Sequence, residues 1–420
     1  MRYILFNILS IFTSKDTYLI LLFMKIFLLF PNIIKADINE NALLYNLQTK
    51  KNIASGNYNS QNLSNYAKLQ LSKKYNSISG QLGLNFSKNR VLNLDQSYIK
   101  FNHKNSNIGF GKINRNWSFS KRSSLILSSN ARPSTSIFFI HKNDNVKRGF
   151  ALPSPRSWSF EAFNSVLSNS NGPDNTLLLG MRATIQPVNN LKFEIIKTSQ
   201  WGGVGYKRDF DAFAAAFAGN TNEKKNANIN QMAGFGFSLL TNTNQMPIRI
   251  YGQFIGEDES GNLPSCYMKL VGSELELPIR NLPTTLGIEF IDTTIDFTSK
   301  GNCGPNTAYN NNTYSYTNHN ISMGSSLDTE GQSIGLWGST KLSENLDVKY
   351  SIDKLIINNN NWQNHRLSTV REKGFIASVE TIWNNPSFFL ISKINYQGLL
   401  ANKTNTQKGV GFNFNVQHNF

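Results

Sequence analysis

Gly409-Val410-Gly411-Phe412-Asn413-Phe414-Asn415-Val416-Gln417-His418-Asn419-Phe420 is the stretch that decides the fold. At a period of two, Val410, Phe412, Phe414, Val416, His418 and Phe420 share one face. Gly409, Gly411, Asn413, Asn415, Gln417 and Asn419 share the other. One side is apolar and largely aromatic; the other is small and polar. A strand of a water-soluble protein turns its apolar side to a core, but no helix or second layer follows here to supply one. A transmembrane β-barrel disposes of both faces at once, lipid taking the apolar side and the lumen the polar one. The expected class is therefore all-β, a transmembrane antiparallel β-barrel.

The rest of the chain repeats this pattern. Period-2 segments are read at 64–72, 76–86, 96–103, 105–111, 122–129, 134–141, 157–164, 176–186 and 190–198. They continue at 231–240, 246–255, 265–273, 283–293, 331–340, 345–354, 373–383, 386–396 and 409–420. These make about 18 strands, and an even number is what a closed antiparallel barrel requires. Alternate connections are long (Gln397–Lys408, Leu355–Glu372, Thr294–Glu330, Gly256–Ser265), while those between them are short (Trp383–Pro386, Lys341–Glu344, Thr241–Met246, Pro187–Asn189). Long loops outside and short turns inside are the barrel habit. A soluble sandwich would share the strand spacing, but not the lopsided connections.

Composition agrees. Hydrophobic residues make up 40% of the 420, and a mean hydropathy of −0.34 excludes a helical membrane bundle. The apolar run Tyr18–Phe30, broken by Lys25, is shorter than the ~20 residues of a spanning helix and reads as a secretory signal. Translation starting at Met1 or at Met24 gives the same expected cleavage after Ala36. Residues 1–36 are thus the expected signal peptide. Residues 37–60 form a short periplasmic segment in which Leu43, Leu44 and Leu47 suggest an amphipathic helix, and 61–420 are the barrel. The formal charge is +16; the leader carries Arg2, Lys15, Lys25 and Lys35 against Asp16, so the mature chain keeps +13. On an exported protein this points away from nucleic acid and towards anionic polymers or lipopolysaccharide phosphates. Cys266 and Cys303 are the only cysteines, and in an oxidising compartment a disulfide is the default. The five histidines are scattered and no zinc spacing occurs, so no metal or cofactor is expected.

One loop departs from β periodicity. In Arg208-Asp209-Phe210-Asp211-Ala212-Phe213-Ala214-Ala215-Ala216-Phe217-Ala218-Gly219 the phenylalanines recur at helical spacing, with Asp209 to cap the start and Gly219 to end it. Such a helix on the extracellular side is expected to fold into the barrel mouth and plug the lumen.

Several blocks resemble the Wzi-type capsule assembly family. Ser124-Leu125-Ile126-Leu127-Ser128-Ser129-Asn130-Ala131-Arg132-Pro133 resembles its SLILSNNARP block. Leu179-Gly180-Met181-Arg182 with Pro187 and Gln200-Trp201-Gly202-Gly203 resembles the next, and Asn230-Gln231-Met232-Ala233-Gly234-Phe235 follows in order. Tyr251-Gly252-Gln253-Phe254-Ile255-Gly256-Glu257-Asp258-Glu259-Ser260-Gly261 with Pro264 is similar to its GQxxGEDExG-x-x-P signature, and Tyr309-Asn310, Tyr314 and Gly324-Ser325 complete the series. Two departures stand out. Trp117-Ser118-Phe119-Ser120 replaces the family's Trp-Gly-Pro-Gly, and the N-terminal region is shorter than usual. Outer-membrane barrels also typically finish on a strand with a C-terminal Phe, as Phe420 does here.

The resemblance implies an outer-membrane barrel of 18 strands, filled by loops and capped by helices, that acts as a lectin and holds capsular or exopolysaccharide at the cell surface. Candidate binding residues are Arg132 and Arg208 for uronate carboxylates, Trp201 as a stacking face, and Glu257, Asp258 and Glu259 as hydroxyl acceptors. Against this, Arg132 and the acidic trio can pair with one another inside the lumen, and Trp201 can be packing. Expected partners are polysaccharide, outer-membrane lipid, lipopolysaccharide and the barrel assembly machinery, with the protein a monomer. The alternative is a general or substrate-specific porin. An enzyme is not expected: GxSxG is absent, and the adjacent Glu257, Asp258 and Glu259 cannot face each other across a groove.

Overall fold

The computed structural model describes residues 42–48, 66–87, 92–144, 156–168, 172–219, 229–243, 246–260, 263–297, 303–404 and 406–419. The leader 1–36 and Phe420 lie outside them. The wall strands run Ala42–Gln48, Tyr66–Tyr75, Ile78–Ser87, Tyr98–His103, Ser106–Lys112 and Thr135–Asn143. Ser157–Val166, Leu177–Val188, Leu191–Trp201, Asn230–Thr243, Met246–Ser260 and Leu263–Ile279 follow. Leu282–Asp292, Gln332–Ser343, Leu346–Ile357, Glu372–Asn384, Phe388–Gln397 and Gly409–Asn419 complete the wall. Nineteen strands share this sheet, but the two-residue strand Leu92–Asn93 pairs on one side only, so the closed ring holds eighteen.

Every wall strand is antiparallel to its chain neighbour, and the ring closes where the first strand meets the last, from Ala42↔Asn419 to Gln48↔Asn413. This corrects the expected helix at 37–60. Leu43, Leu44 and Leu47 fit helical spacing, but the stretch spans residues 42–48 with hydrogen-bonding edges on both sides, and it enters the sheet. A second correction offsets the first. Residues 122–129 are not a wall strand: they run through the lumen, so the total of eighteen stands with one member exchanged.

Ala42 and Asn419, the outermost described residues, sit at one rim, together with two- and three-residue hairpins such as 189–190, 280–281 and 385–387. Arg280 and Asn281 both have positive φ (49° and 64°), the twist that matches a two-residue hairpin to its strands. The opposite, outer rim carries 113–134, 202–229, 293–331, 358–371 and 398–408. The Gly256–Ser265 connection, expected to be long, is short: the paired strands continue to Ser260↔Leu263.

Alternation sorts the wall into two faces. Ile195, Phe235, Ile334, Leu336, Ile352, Phe375, Val379, Phe412 and Phe414 are exposed on the outer face, where lipid covers them. Their chain neighbours point inward. Glu194 and Ile196, for example, flank the outward Ile195, and both are buried.

The helix Phe210–Ala218 forms as expected, with Asp209 accepting from the Ala212 N–H at 2.9 Å and Gly219 ending it at φ 91°. Its position does not follow the expectation. It packs on Leu179, Trp201 and Met181, and Ser199 Oγ donates to the Ala216 carbonyl at 2.9 Å. These are the odd-numbered, outward positions of strands whose inward residues, Ile196, Thr198 and Gln200, meet the lumen filling. The helix therefore lies against the outside of the wall near the outer rim and plugs nothing. Gly202 and Gly203, at φ 63° and 103°, turn the chain outward after Trp201, and a Cβ on Gly203 would stand 2.6 Å from Pro173.

Candidate functional site

What fills the lumen is the outer-rim segment 113–134, held by carboxylates that the wall turns inward. Glu161 receives Arg115 Nε at 2.9 Å and Trp117 Nε1 at 3.1 Å. Glu289 receives Ser123 Oγ and Tyr251 OH, each at 2.8 Å. Arg122 reaches both oxygens of Asp353 at 2.9 and 3.0 Å. Gln253 accepts the Leu125 N–H at 2.8 Å, and its own amide binds the Glu194 carboxylate at 3.2 Å. Leu125 and Ile126 are completely buried at the centre. Their backbone groups find partners in side chains and in a second inward segment rather than in a neighbouring strand. Tyr309 OH donates to the Leu125 carbonyl at 2.6 Å, and Tyr316 OH to that of Ile126 at 2.9 Å. An apolar run with strand-like composition thus becomes the axis of the filling. A void of about 10 Å³ remains beside Arg122, Glu289 and Asp353.

Above this filling, at the outer rim, opens a cavity of about 480 Å³. Four segments that are far apart in sequence supply its walls. Asn130 comes from the filling, Ser322 and Asp328 from 293–331, Asn364 and Arg366 from 358–371, and Lys403 and Thr404 from 398–408. Arg366 Nε donates to Asp328 Oδ2 at 2.7 Å, and its Nη2 reaches both Asp328 Oδ1 and, at 3.2 Å, the Tyr309 carbonyl. Burial pushes the Asp328 carboxyl up, but the charge and hydrogen bonds of Arg366 outweigh it and hold the group below its ordinary value. His365 accepts the Leu367 N–H at Nδ1 (3.1 Å) and turns Nε2 to the Thr329 carbonyl (2.9 Å). Burial lowers its pKa, so the neutral imidazole is the resident form. Lys403 Nζ, at the solvent edge, holds the Gln363 carbonyl at 2.7 Å. Asn130 donates to the Ser322 carbonyl at 2.9 Å, and Asn130 Oδ1 and Ser322 Oγ are buried without a protein partner. The walls thus combine two cations, one carboxylate and several amide and hydroxyl groups.

The residues singled out from sequence do not assemble into one site. Arg132 forms a two-point ion pair with Asp95, at 2.7 and 3.0 Å, rather than with the acidic trio. Trp201 is 4% exposed and meets Phe213 edge-on at 5.8 Å, so it is packing under the helix and offers no stacking face. Arg208 is exposed and donates to the Asn175 carbonyl at 2.8 Å. Glu257 is buried and accepts the Tyr309 N–H. Asp258 and Glu259 continue that strand opposite Ser265 and Pro264; their side chains lie outside the described residues. Of the motif residues, Asn130 lines the outer cavity and others make packing or backbone contacts. Gln200 donates to the Ser315 carbonyl at 3.0 Å, Tyr314 OH binds the Gly202 carbonyl at 2.8 Å, and Ala131 is buried. A Cβ on Gly256 would lie 2.6 Å from the Ser265 carbonyl oxygen. Ser129 and Pro133 flank the same lumen segment. Cys266 and Cys303 are joined in a disulfide that ties a wall strand to the 293–331 excursion. The cavity residues Asp328, Asn364, Arg366 and Lys403 escaped the sequence reading, because they sit in loops without periodicity.

The family described as capsule assembly protein Wzi matches residues 45–384. A Klebsiella pneumoniae protein, described as an uncharacterized 55.8 kDa protein in the cps region, is 30% identical over 194 residues, 46% of this chain. That match spans 38% of the relative's own length. Among solved structures, the fold superposes on Wzi of Escherichia coli, described as a carbohydrate-binding β-barrel of the outer membrane involved in group 1 capsule assembly. There the TM-score is 0.77 at 21% identity, covering 97% of this chain and 89% of that one. OprD of Pseudomonas aeruginosa gives a TM-score of 0.53 at 7% identity, covering 92% and 99%.

Proposed function

Because this chain belongs to the capsule assembly protein Wzi family, we propose that it binds capsular or exopolysaccharide and helps assemble or retain it at the cell surface. The barrel sits in the outer membrane, so its outer rim meets the polymer. The observation that carries the reading is the outer cavity above a filled lumen. Its volume of about 480 Å³ lies within the ~300–1,000 Å³ of ligand sites, and its walls offer amide, hydroxyl and charged groups suited to sugar hydroxyls and carboxylates. With Arg366 and Lys403 against Asp328, the cavity carries a net cation, which favours an acidic polymer.

Retention requires binding alone, and we assign no catalytic step. Lipopolysaccharide surrounds the barrel as its lipid partner, the assembly machinery inserts it, and the protein acts as a monomer. The porin reading has less support, since the segment 113–134 crosses the lumen and is bonded to wall residues Glu161, Gln253, Glu289 and Asp353. The test is a gene-deletion strain alongside glycan binding by the refolded protein. Polymer is expected to be made but shed into the medium, and Lys403→Ala is expected to weaken glycan binding. Polymer that stays cell-bound, or is never made, overturns the reading.

A further inference from the structure

The helix Phe210–Ala218 is apolar nearly all the way round: Asp211 is its single charged residue. Ala215 and Ala216 are its buried residues, facing the wall, while Phe210 (78% exposed) and Phe217 (53%) point away from it, with Ala214 between them on the same stripe. A helix without a polar face is stable where apolar surroundings exist on both sides. Here one side is the barrel wall. The other is the space into which the wall itself projects lipid-facing residues.

The height of the helix is fixed by its contacts. Lys197 Nζ donates to the Phe217 carbonyl at 3.0 Å, and Ser199 Oγ and Gln231 Nε2 both reach the Ala216 carbonyl. Lys197 is the next outward position above Ile195, which is 70% exposed in the lipid belt. The exposed phenylalanines therefore continue the apolar band of the barrel at its outer edge. Lys207 and Arg208, both exposed, immediately precede the helix, where headgroup phosphates would meet them.

We propose that Phe210–Ala218 is a membrane-surface helix, seated in the outer leaflet with Phe210 and Phe217 among acyl chains and Lys207 and Arg208 at the anionic headgroup level. It widens the footprint of the barrel on one side of its circumference and fixes its depth in the leaflet. The occupant of this face is lipid rather than polysaccharide or a second copy, and the assignment is independent of what the outer cavity binds.

Site-directed labelling tests it on the full-length protein with its disulfide intact. Phe210→Cys and Phe217→Cys variants each receive an environment-sensitive fluorophore after folding into phosphatidylcholine–phosphatidylglycerol vesicles. Ile195→Cys serves as the lipid reference, and Val204→Cys, an exposed loop position, as the water reference. Both helix probes are expected to shift to the blue and to be quenched by nitroxide-bearing acyl chains as strongly as the Ile195 probe, while iodide quenches only the Val204 probe. Should a cysteine at either Phe disturb folding, Ala214 takes the label with the same expectation. Iodide quenching at the helix, as at Val204, overturns the proposal. So does shielding from both quenchers, which would mean that protein covers this face.

Discussion

Asp328 and Arg366 join two outer loops through a two-point ion pair, with Arg366 Nε 2.7 Å from Asp328 Oδ2, at the floor of the outer cavity. Only 3% of the Asp328 side chain and 14% of the Arg366 side chain are exposed, so neither charge has water to fall back on. Arg366→Ala leaves a buried carboxylate alone and is expected to cost about 3–5 kcal/mol. The double variant Asp328→Leu/Arg366→Met is expected to cost markedly less, because it removes both charges together. Urea-unfolding midpoints in detergent micelles compare the two. A double variant as unstable as the single one would mean that the pair is not the source.

The same corner predicts acid sensitivity. His365 has a folded pKa below its ordinary 6.5, through burial first. The folded state binds its proton less readily than the unfolded chain does, so this contribution is complete above pH 6.5 and is lost as pH falls below it. Asp328, held below its ordinary 3.8 by Arg366 in spite of burial, adds stability present above that value and lost at lower pH. Unfolding midpoints should therefore drop in two steps, and His365→Gln should remove the first. A profile that keeps this step in the variant points to another group.

The Cys266–Cys303 bond closes a loop across a sequence separation of 37 residues, worth about 3–4 kcal/mol in the chain-entropy account. Reduction, or Cys266→Ala/Cys303→Ala, is expected to lower the unfolding midpoint accordingly. Mass spectrometry of non-reduced peptides should find no free thiol at either position.

The filled lumen makes a prediction that separates the helix from the filling. Intact protein should show no stable conductance in planar bilayers, and deleting 210–218 should leave it closed. Deleting 117–129 should open it, since that removes the segment anchored to Glu161, Glu289 and Gln253. A milder variant, Tyr309→Phe, leaves the buried Leu125 carbonyl without this partner and should cost about 1–3 kcal/mol.

Glycan binding, if carried by the outer cavity, should weaken with salt, because the exposed Lys403 ammonium is screened over about 8–10 Å at physiological ionic strength. Trp201→Ala should destabilise the fold by about 3–5 kcal/mol through the cavity it leaves under the helix, with little effect on affinity. A selective loss of affinity in that variant, without loss of stability, would return Trp201 to the binding surface.

What could be read from the sequence follows from what periodicity encodes. Strands such as Gly409–Asn419 have one face in lipid and one in the lumen, so alternation and short turns located most of the wall. Within 122–129, residues 123–127 are buried whichever way they point; alternation is silent there, and only tertiary partners such as Gln253 decide where the segment goes. Leu43 and Leu47 fit either period and Leu44 only the helical one, and the choice fell to pairing with the last strand, at Leu43↔His418 and Leu47↔Phe414. The helix was visible, but its side of the wall was not. Counting outward positions from Ile195 to Trp201 was the available signal. The outer cavity is contributed by loops whose sequences have no period, so apart from Asn130, which the family-like block contained, its residues could be found only in three dimensions.

Closure of the ring by Ala42–Gln48 against Gly409–Asn419 has a consequence for biogenesis. The seam joins the first wall strand to the last, so no partial chain contains a complete cylinder, however many central hairpins it has formed. The segment that occupies the interior is continuous with the wall at Lys112 and Thr135 and is bonded to it at Glu161, Gln253, Glu289 and Asp353. It is tethered by both ends at the outer rim, so it enters the lumen from that side alone. A chain cut short before Gly409 is left as an open curved sheet with two raw edges in the bilayer.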